Sequence, residues 1–233
     1  MPTARQVKNQ LGKLATAKRA RTNAWFFKTG YGAYGAGDKF IGVAVPQQRK
    51  IAKQFKALGL TEIQKLLHSP IHEHRLTGLH ILVNQYQRAQ PTQQKKLCGF
   101  YLRHIQRVNN WDLVDSSAPY ILGDFLLNRP RTILSRLSKS KNLWERRIAI
   151  VSTFAFIKKN QFTDTLRITK QLLSDKEDLI HKATGWMLRE VGKRNQPELE
   201  KFLRQYAAKM PRTALRSAIE KFDSVKRKNY LKA

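Results

Sequence analysis

Apolar residues recur at spacings of three and four along most of the chain beyond about residue 45, which is the pattern of amphipathic helices. Pro, Ser, Asn and Asp interrupt this pattern about every 15 to 20 residues, as helix ends do. The clearest stripes contain Leu76, Leu79, Leu82 and Val83, then Leu113, Val114, Ile121, Leu122 and Phe125, and then Leu199, Phe202, Leu203 and Tyr206. None of them alternates as a β-strand does. The pattern therefore predicts an all-α fold.

The N-terminal segment contains one predicted helix and one predicted loop. Val7, Leu11 and Leu14 predict an ordinary first helix rather than a transit peptide. Between Lys28 and Val45 the chain has five glycines and is followed by a proline, which predicts a long ordered loop leading into a helix. Its G-x-G-x-x-G spacing is not a dinucleotide site, because the further glycines and the proline forbid the helix that such a site requires. We expect a structural loop whose amides can approach a phosphate backbone.

An internal repeat of 36 residues organises the C-terminal half. The set Leu137, Leu143 and Arg146 recurs as Leu173, Leu179 and Lys182, and a Glu-x-Arg segment recurs at twice this distance. Periods of this length built from two helices are typical of α-solenoids, which curve into a concave face. No interior linker is long enough to divide the chain, so residues 1–233 are expected to form a single domain.

Charge narrows the choice of partner. The chain has 45 Lys and Arg against 16 Asp and Glu, a formal charge of +29, and residues 1–37 contain seven basic residues and no acidic one. A polyanion is the partner that such a surface fits, so we expect duplex DNA or folded RNA on a basic concave face. No apolar run is long enough for a membrane span or a signal peptide. The single cysteine, Cys98, excludes a disulfide framework, and we expect a cytoplasmic protein.

Four histidines, His68, His72, His74 and His80, could indicate a metal site. The H-E-x-x-H pattern that starts at His72 fails because its fifth position is a leucine. His68 and His72 would lie one turn apart, but two histidines without a third ligand are more often surface or interhelix contacts. We therefore expect no metal and no organic cofactor.

The run Asn109–Asp115 opens a predicted helix and puts Trp111 and Asp115 on the same face. Asn110 or Asp112 could cap this helix, and for Asp112 capping is the favoured interpretation. Asp115 lies deeper in the helix, where a carboxylate on a cationic surface is either a structural ion pair or a functional charge. The pattern alone leaves these two interpretations open.

The repeat relates further Trp and Arg residues to Trp111. Arg147 follows it by 36 residues, and Trp186 follows it by two repeats and about one helical turn. The three side chains are therefore expected to project from equivalent helices onto the same side of the solenoid. Trp144 is expected to belong to the core.

Several ordered motifs together resemble the AlkD-type DNA alkylation repair family, the HEAT-like-repeat DNA glycosylases. They are Phe26-Phe27-Lys28-Thr29-Gly30 with Gly35 and Gly37-Asp38, the run Asn109–Asp115, Leu143–Ala149, and Gly185–Glu190. The resemblance implies a solenoid of HEAT-like helical repeats that holds duplex DNA in a basic concave cleft. It also implies hydrolysis of the N-glycosidic bond of cationic N-alkylated purines, such as 3-methyladenine and 7-methylguanine, in base excision repair.

By motif matching, the resemblance puts the catalytic carboxylate on Asp115 and its companions on Trp111, Arg147 and Trp186. One carboxylate is enough for this chemistry, because a cationic purine leaves as a neutral base and needs no leaving-group acid. Tryptophan faces attract a cation, and an arginine fork can hold a phosphate. The residues expected to bind DNA are Arg147, Arg189, Lys226, Arg227 and Lys228. We expect a monomer without an obligate protein partner.

Two other functions remain open. One is a non-catalytic HEAT-like-repeat protein that binds damaged, branched or folded nucleic acid, and the presence of Asp115 argues against it. The other is a protein-binding scaffold, which would need an acidic partner to match the charge of +29.

Overall fold

The computed structural model describes residues 1–232, and within this range every regular element is helical. The all-α prediction is therefore confirmed. The helices are α1 (Ala4–Lys13), α2 (Ala17–Phe26), α3 (Val45–Gln54), α4 (Leu60–Leu67), α5 (His72–Arg88), α6 (Pro91–Arg103), α7 (Trp111–Asp115), α8 (Thr132–Leu137), α9 (Leu143–Ser152), α10 (Phe154–Ile157), α11 (Thr163–Gln171), α12 (Asp178–Arg194), α13 (Gln196–Tyr206), α14 (Arg212–Ala218) and α15 (Ser224–Lys232). The chain divides into two compact units, the first comprising Met1–Ser117 and the second beginning at Ala118.

The core of the first unit is built around α5, most of whose 17 residues are buried. Helices α3, α4 and α6 pack against it, and α1 covers the same group with Val7 and Leu11. Leu14, which was expected on this apolar face, instead caps the end of α1 and is exposed. Burial of such apolar stripes is the main source of helix stability in a protein of this kind.

The glycine-rich segment is a loop between α2 and α3, as predicted, and its second half is fixed to α5. The carboxylate of Glu73 accepts hydrogen bonds from the backbone amides of Ile41 (3.1 Å), Gly42 (2.8 Å) and Val43 (3.3 Å). Gly42 has φ +81°, and a Cβ atom there would lie 2.2 Å from the carbonyl oxygen of Thr16. Both the conformation and the close approach to the start of α2 therefore require glycine.

We expect Gly42→Ala to lower the free energy of unfolding by about 2 kcal/mol or more, because it combines a positive φ with a backbone clash. Gly32→Ala is the matched control: Gly32 has φ +73° but nothing within 4 Å of a Cβ atom. It should cost only about 1 kcal/mol, the penalty of the conformation alone. Urea unfolding of both variants measures the difference, and equal losses of stability would show that the approach to Thr16 is not tight.

In the second unit, the two copies of the internal repeat fall where one helix ends and the next begins. Leu137 ends α8 and Leu143 begins α9, while Leu179 lies at the start of α12, which follows α11. Helix α12 is central, since α9, α13 and α14 all pack against it. Gly185 allows α14 to approach, because a Cβ atom there would lie 2.5 Å from the carbonyl oxygen of Ala214.

Three local expectations are wrong. The stripe that begins at Leu113 does not form one helix: α7 ends at Asp115, and a π-helical segment begins at Pro119, which has no amide hydrogen to continue the ladder. Trp144 is partly exposed rather than a core residue. His68 is the residue that follows α4 and His72 begins α5, so the two histidines do not lie one turn apart on the same helix.

Within residues 1–232, no helix combines the length and hydrophobicity that a membrane span requires.

Candidate functional site

Trp111 and Asp115 lie at the two ends of α7, and both side chains are partly exposed. The cap of this short helix is Asn110, whose side-chain oxygen accepts a hydrogen bond from the Trp111 amide at 2.8 Å. The expectation that Asp112 acts as a cap is therefore wrong, because its carboxylate is turned toward α5 instead. Helix α7 thus presents one aromatic ring and one carboxylate at the surface of the first unit.

A set of aromatic residues fixes the indole of Trp111. Its ring stacks on Phe27, with ring centroids 5.2 Å apart and an interplanar angle of 18°, and meets the edge of Phe26 at 5.9 Å. The indole N–H donates a hydrogen bond to the hydroxyl of Tyr34 at 3.3 Å. Phe27 also stacks on Phe40 at 5.0 Å. The residues after α2 therefore hold Trp111 in one orientation.

Beneath this aromatic group, the buried side chain of His72 joins three parts of the first unit. Its Nδ1 lies 3.1 Å from a carboxylate oxygen of Asp38 in the glycine-rich loop. Its Nε2 lies 2.8 Å from a carboxylate oxygen of Asp112 on α7. Asp38 also accepts hydrogen bonds from Arg75 (2.6 Å) and Asn110 (3.0 Å). We call Asp38, His72, Arg75, Asn110 and Asp112 the His72 cluster, and it connects α5, α7 and the loop.

The charges of the His72 cluster favour an imidazolium. Burial alone would lower the pKa of His72, but the charge and hydrogen bond of Asp112 and the hydrogen bond of Asp38 raise it to about 9. Burial likewise opposes ionisation of Asp38, yet His72, Arg75 and Asn110 lower its pKa below the usual value. At neutral pH the cluster therefore sets two cations, His72 and Arg75, against the carboxylates of Asp38 and Asp112. Of the two interpretations left open for His72, a surface contact or an interhelix contact, the structure shows the interhelix contact.

Asp115 ends α7 close to a buried tyrosine of α6. Burial raises the pKa of Tyr101, and the negative charge of Asp115 raises it further. The hydroxyl of Tyr101 lies 3.2 Å from the Ser117 hydroxyl, which donates to the carbonyl oxygen of Leu113 at 2.6 Å. A neutral tyrosine therefore supports the chain just after Asp115, while the carboxylate itself is at the surface.

The second unit contains the other predicted site residues. Arg147 on α9 is only 5% exposed, and its guanidinium donates to the carbonyl oxygen of Leu179 at 2.5 Å. Trp186 on α12 is partly exposed, with its ring 5.8 Å from that of Phe154. Arg189 on the same helix pairs with the carboxylate of Glu220. That Arg147, Trp186 and Arg189 contact DNA stays a prediction.

The predicted basic cluster near the C-terminus lies on α15, which buries none of its side chains. Lys226 pairs with Glu200 at 2.8 Å, whereas Arg227 and Lys228 are exposed. Their role in DNA binding also stays a prediction.

Tyr34, Phe40 and Asp38 belong to the site although no sequence pattern predicted a role for them, and the pattern did not predict that His72 links Asp38 to α7. The signal was present in part, because Phe26, Phe27 and Asp38 belong to the motifs that resemble the repair family. The connection from Asp38 to Asp112 spans 74 residues of sequence and depends on tertiary packing. Within residues 1–232, no group of three or more His, Cys, Asp or Glu side chains has an arrangement that could hold a metal ion.

Comparison with known proteins shows which family this chain belongs to and which solved structures have a similar fold. The sequence pattern of the DNA alkylation repair enzyme family matches residues 7–222. The fold is similar to that of a predicted DNA alkylation repair enzyme from Enterococcus faecalis, with a TM-score of 0.71 and 18% identity over 90% of this chain and 97% of that one. It is also similar to smu.31 from Streptococcus mutans UA159, with a TM-score of 0.57 and 15% identity over 77% of this chain and 93% of that one. Among functionally curated proteins, none matches the sequence.

Proposed function

Because the chain belongs to the family of DNA alkylation repair enzymes, we propose that it removes cationic N-alkylated purines from duplex DNA as a DNA N-glycosylase. The observation that carries this proposal is the geometry of α7: a partly exposed carboxylate, Asp115, stands one helical turn from a rigidly held indole, Trp111. The chain also has a large excess of positive charge for the DNA backbone.

In the proposed reaction, the bond between C1′ of the deoxyribose and the purine nitrogen breaks, and its electron pair leaves with the base. The alkylated purine thereby loses its positive charge and departs neutral, so no second carboxyl is needed to protonate it. Positive charge develops on the sugar, and the Asp115 carboxylate stabilises that charge. A water molecule then adds to C1′ and releases a proton to Asp115 or to solvent.

The neighbours of Asp115 suit this role because they keep α7 in place. Trp111 presents an aromatic face, and such faces attract cationic bases and sugars. The His72 cluster and the stacked aromatic residues both hold α7 from below. Preorganised charge of this kind costs no rearrangement when the transition state forms.

Binding is proposed to depend on phosphate contacts rather than on reading of base sequence. Arg227 and Lys228 on the exposed α15 suit this role directly, whereas Lys226 and Arg189 would first have to leave Glu200 and Glu220. Arg147 is buried on α9, so it would reach a phosphate only through its small exposed edge. Affinity is therefore expected to fall steeply with salt.

The deciding experiment mixes excess protein with duplex DNA that contains 7-methylguanine and measures released purine by chromatography. We expect base release in a single turnover with no added metal or cofactor. A matched duplex containing uracil should release nothing, because uracil leaves as an anion and requires an acid that the proposed mechanism does not include.

Tight binding of the methylated duplex without release would instead support the non-catalytic, nucleic-acid-binding alternative. Efficient release of uracil would contradict the mechanism with one carboxylate.

A further inference from the structure

Exposed aromatic rings are concentrated at one end of α2. Trp25 is 81% exposed and Phe26 is 54% exposed, while Tyr31 in the following loop is fully exposed. Within residues 1–232, the one further large aromatic side chain that is exposed is Tyr120, at 36%. Exposing a Trp, a Phe and a Tyr together is unfavourable in water, and such patches mark interaction surfaces.

The loop holds these rings at the same end of the helix. The amide of Thr29 donates to the carbonyl oxygen of Ala24 at 3.2 Å, and that of Lys28 donates to the carbonyl oxygen of Trp25 at 3.1 Å. The hydroxyl of Tyr34 donates to the carbonyl oxygen of Phe26 at 3.4 Å. The segment that carries Tyr31 is therefore tied to the last turn of α2.

Along the rest of α2, the exposed face is basic. Lys18, Arg21 and Trp25 are exposed and follow one another at spacings of three and four residues, so they share one face of the helix. Helix α2 buries none of its side chains, and residues 1–37 contain no Asp or Glu. We call the side chains of Lys18, Arg21, Trp25 and Tyr31 the α2 surface.

The α2 surface is continuous with the candidate active site. Phe26, next to Trp25, meets the edge of the Trp111 ring at 5.9 Å, and Trp111 begins the helix that ends in Asp115. The α2 surface is therefore joined, through the contact of Phe26 with Trp111, to the helix that carries Asp115.

We propose that the α2 surface binds an unpaired stretch of a DNA strand next to the candidate active site, with bases stacked on Trp25 and Tyr31 and phosphates held by Lys18 and Arg21. The inference rests on the proposed function in one respect, that DNA is the ligand. A track that combines cations with exposed aromatic rings is how proteins bind single-stranded nucleic acid without reading its sequence. A protein partner would have to be strongly acidic to cover the same cations.

The test uses unmodified DNA, so that its result does not depend on base release. Fluorescence anisotropy compares binding of the full-length protein to a fully paired duplex and to the same duplex with a short bulge of unpaired bases. We expect tighter binding of the bulged duplex, and a reduction of this preference by about 5-fold or more in Trp25→Ala. Trp25→Tyr should keep most of the preference, because it keeps a ring. Val45→Ala, which shortens an exposed apolar side chain at the start of α3, is the control and should change neither affinity.

The cations are tested separately. The double variant Lys18→Ala with Arg21→Ala should bind both duplexes more weakly. The slope of log affinity against log salt concentration should become shallower by about 0.9 for each phosphate that is no longer neutralised. If Trp25→Ala binds both duplexes as the wild type does, the α2 surface does not stack on bases, and a protein partner becomes the explanation of its exposed rings. Absence of any preference for the bulge in the wild type would overturn the proposal equally. Neither result bears on removal of alkylated bases, which the release assay measures independently.

Discussion

Asp115→Asn should slow the release of 7-methylguanine by about 10²-fold or more in a single turnover. The substitution keeps the shape of the side chain and its place at the end of α7, but it removes the negative charge that would stabilise the developing cation on the sugar. Affinity for DNA should be unchanged or slightly higher, because the variant has one negative charge fewer near the phosphates. Rates are measured with enzyme in excess, and DNA affinity is measured by anisotropy on the same preparations.

Asp178→Asn is the matched control for Asp115→Asn. Asp178 is an exposed carboxylate on α12 that pairs with Lys182 at 2.8 Å, so its replacement changes the net charge equally without touching α7. It should retain the wild-type rate. Full activity of Asp115→Asn would show that the charge of this carboxylate is not used in catalysis, and the mechanism with one carboxylate would then fail.

His72→Gln should lower the free energy of unfolding by about 3 kcal/mol or more. Removing the imidazolium leaves the largely buried carboxylate of Asp112 without its cation and leaves Asp38 with Arg75 alone, and breaking a buried ion pair from one side is costly. If charge repulsion is the cause, adding Asp112→Asn to His72→Gln should cost less than the sum of the two single substitutions. His68→Gln, at an exposed position, is the control and should change stability little.

The same cluster predicts how stability depends on pH. Because the pKa of His72 is raised from 6.5 to about 9, its contribution to stability is complete below about pH 6.5 and is lost as the pH rises through 9. The wild type should therefore lose stability on the order of 3 kcal/mol over this window. Urea unfolding between pH 6 and pH 9.5 measures this loss, which His72→Gln should largely abolish. If the free energy of unfolding fell equally with pH in the wild type and in His72→Gln, other titrating groups would be responsible for the loss.

Features that recur at a fixed spacing along the chain were predictable from the sequence. Helical spacing identified α5 and α13, and the 36-residue period identified the pairing of α8 with α9 and α11 with α12. The position of Trp111 and Asp115 on one short helix was also predictable, because it needs only the helical repeat.

The His72 cluster was not predictable from spacing, because its members come from segments far apart in sequence. Asp112 looked like a helix cap since acidic residues favour the first turn, and tertiary packing instead turned it toward His72. The sequence left open whether His72 makes a surface or an interhelix contact, and it is the first residue of a largely buried helix. Burial and pairing of charges depend on which segments meet, and periodicity alone does not contain that information.

The glycine-rich loop is held firmly at both ends and loosely at its tip. The last turn of α2 fixes one end, and Glu73 together with the His72 cluster fixes the other. Between them, a Cβ atom at Gly30 would meet nothing within 4 Å, and the side chain of Tyr31 is fully exposed. Positions 30 and 31 are thus free to accept other side chains at little cost in stability, which makes them suitable for natural variation or a designed library that alters ligand binding while α7 stays unchanged.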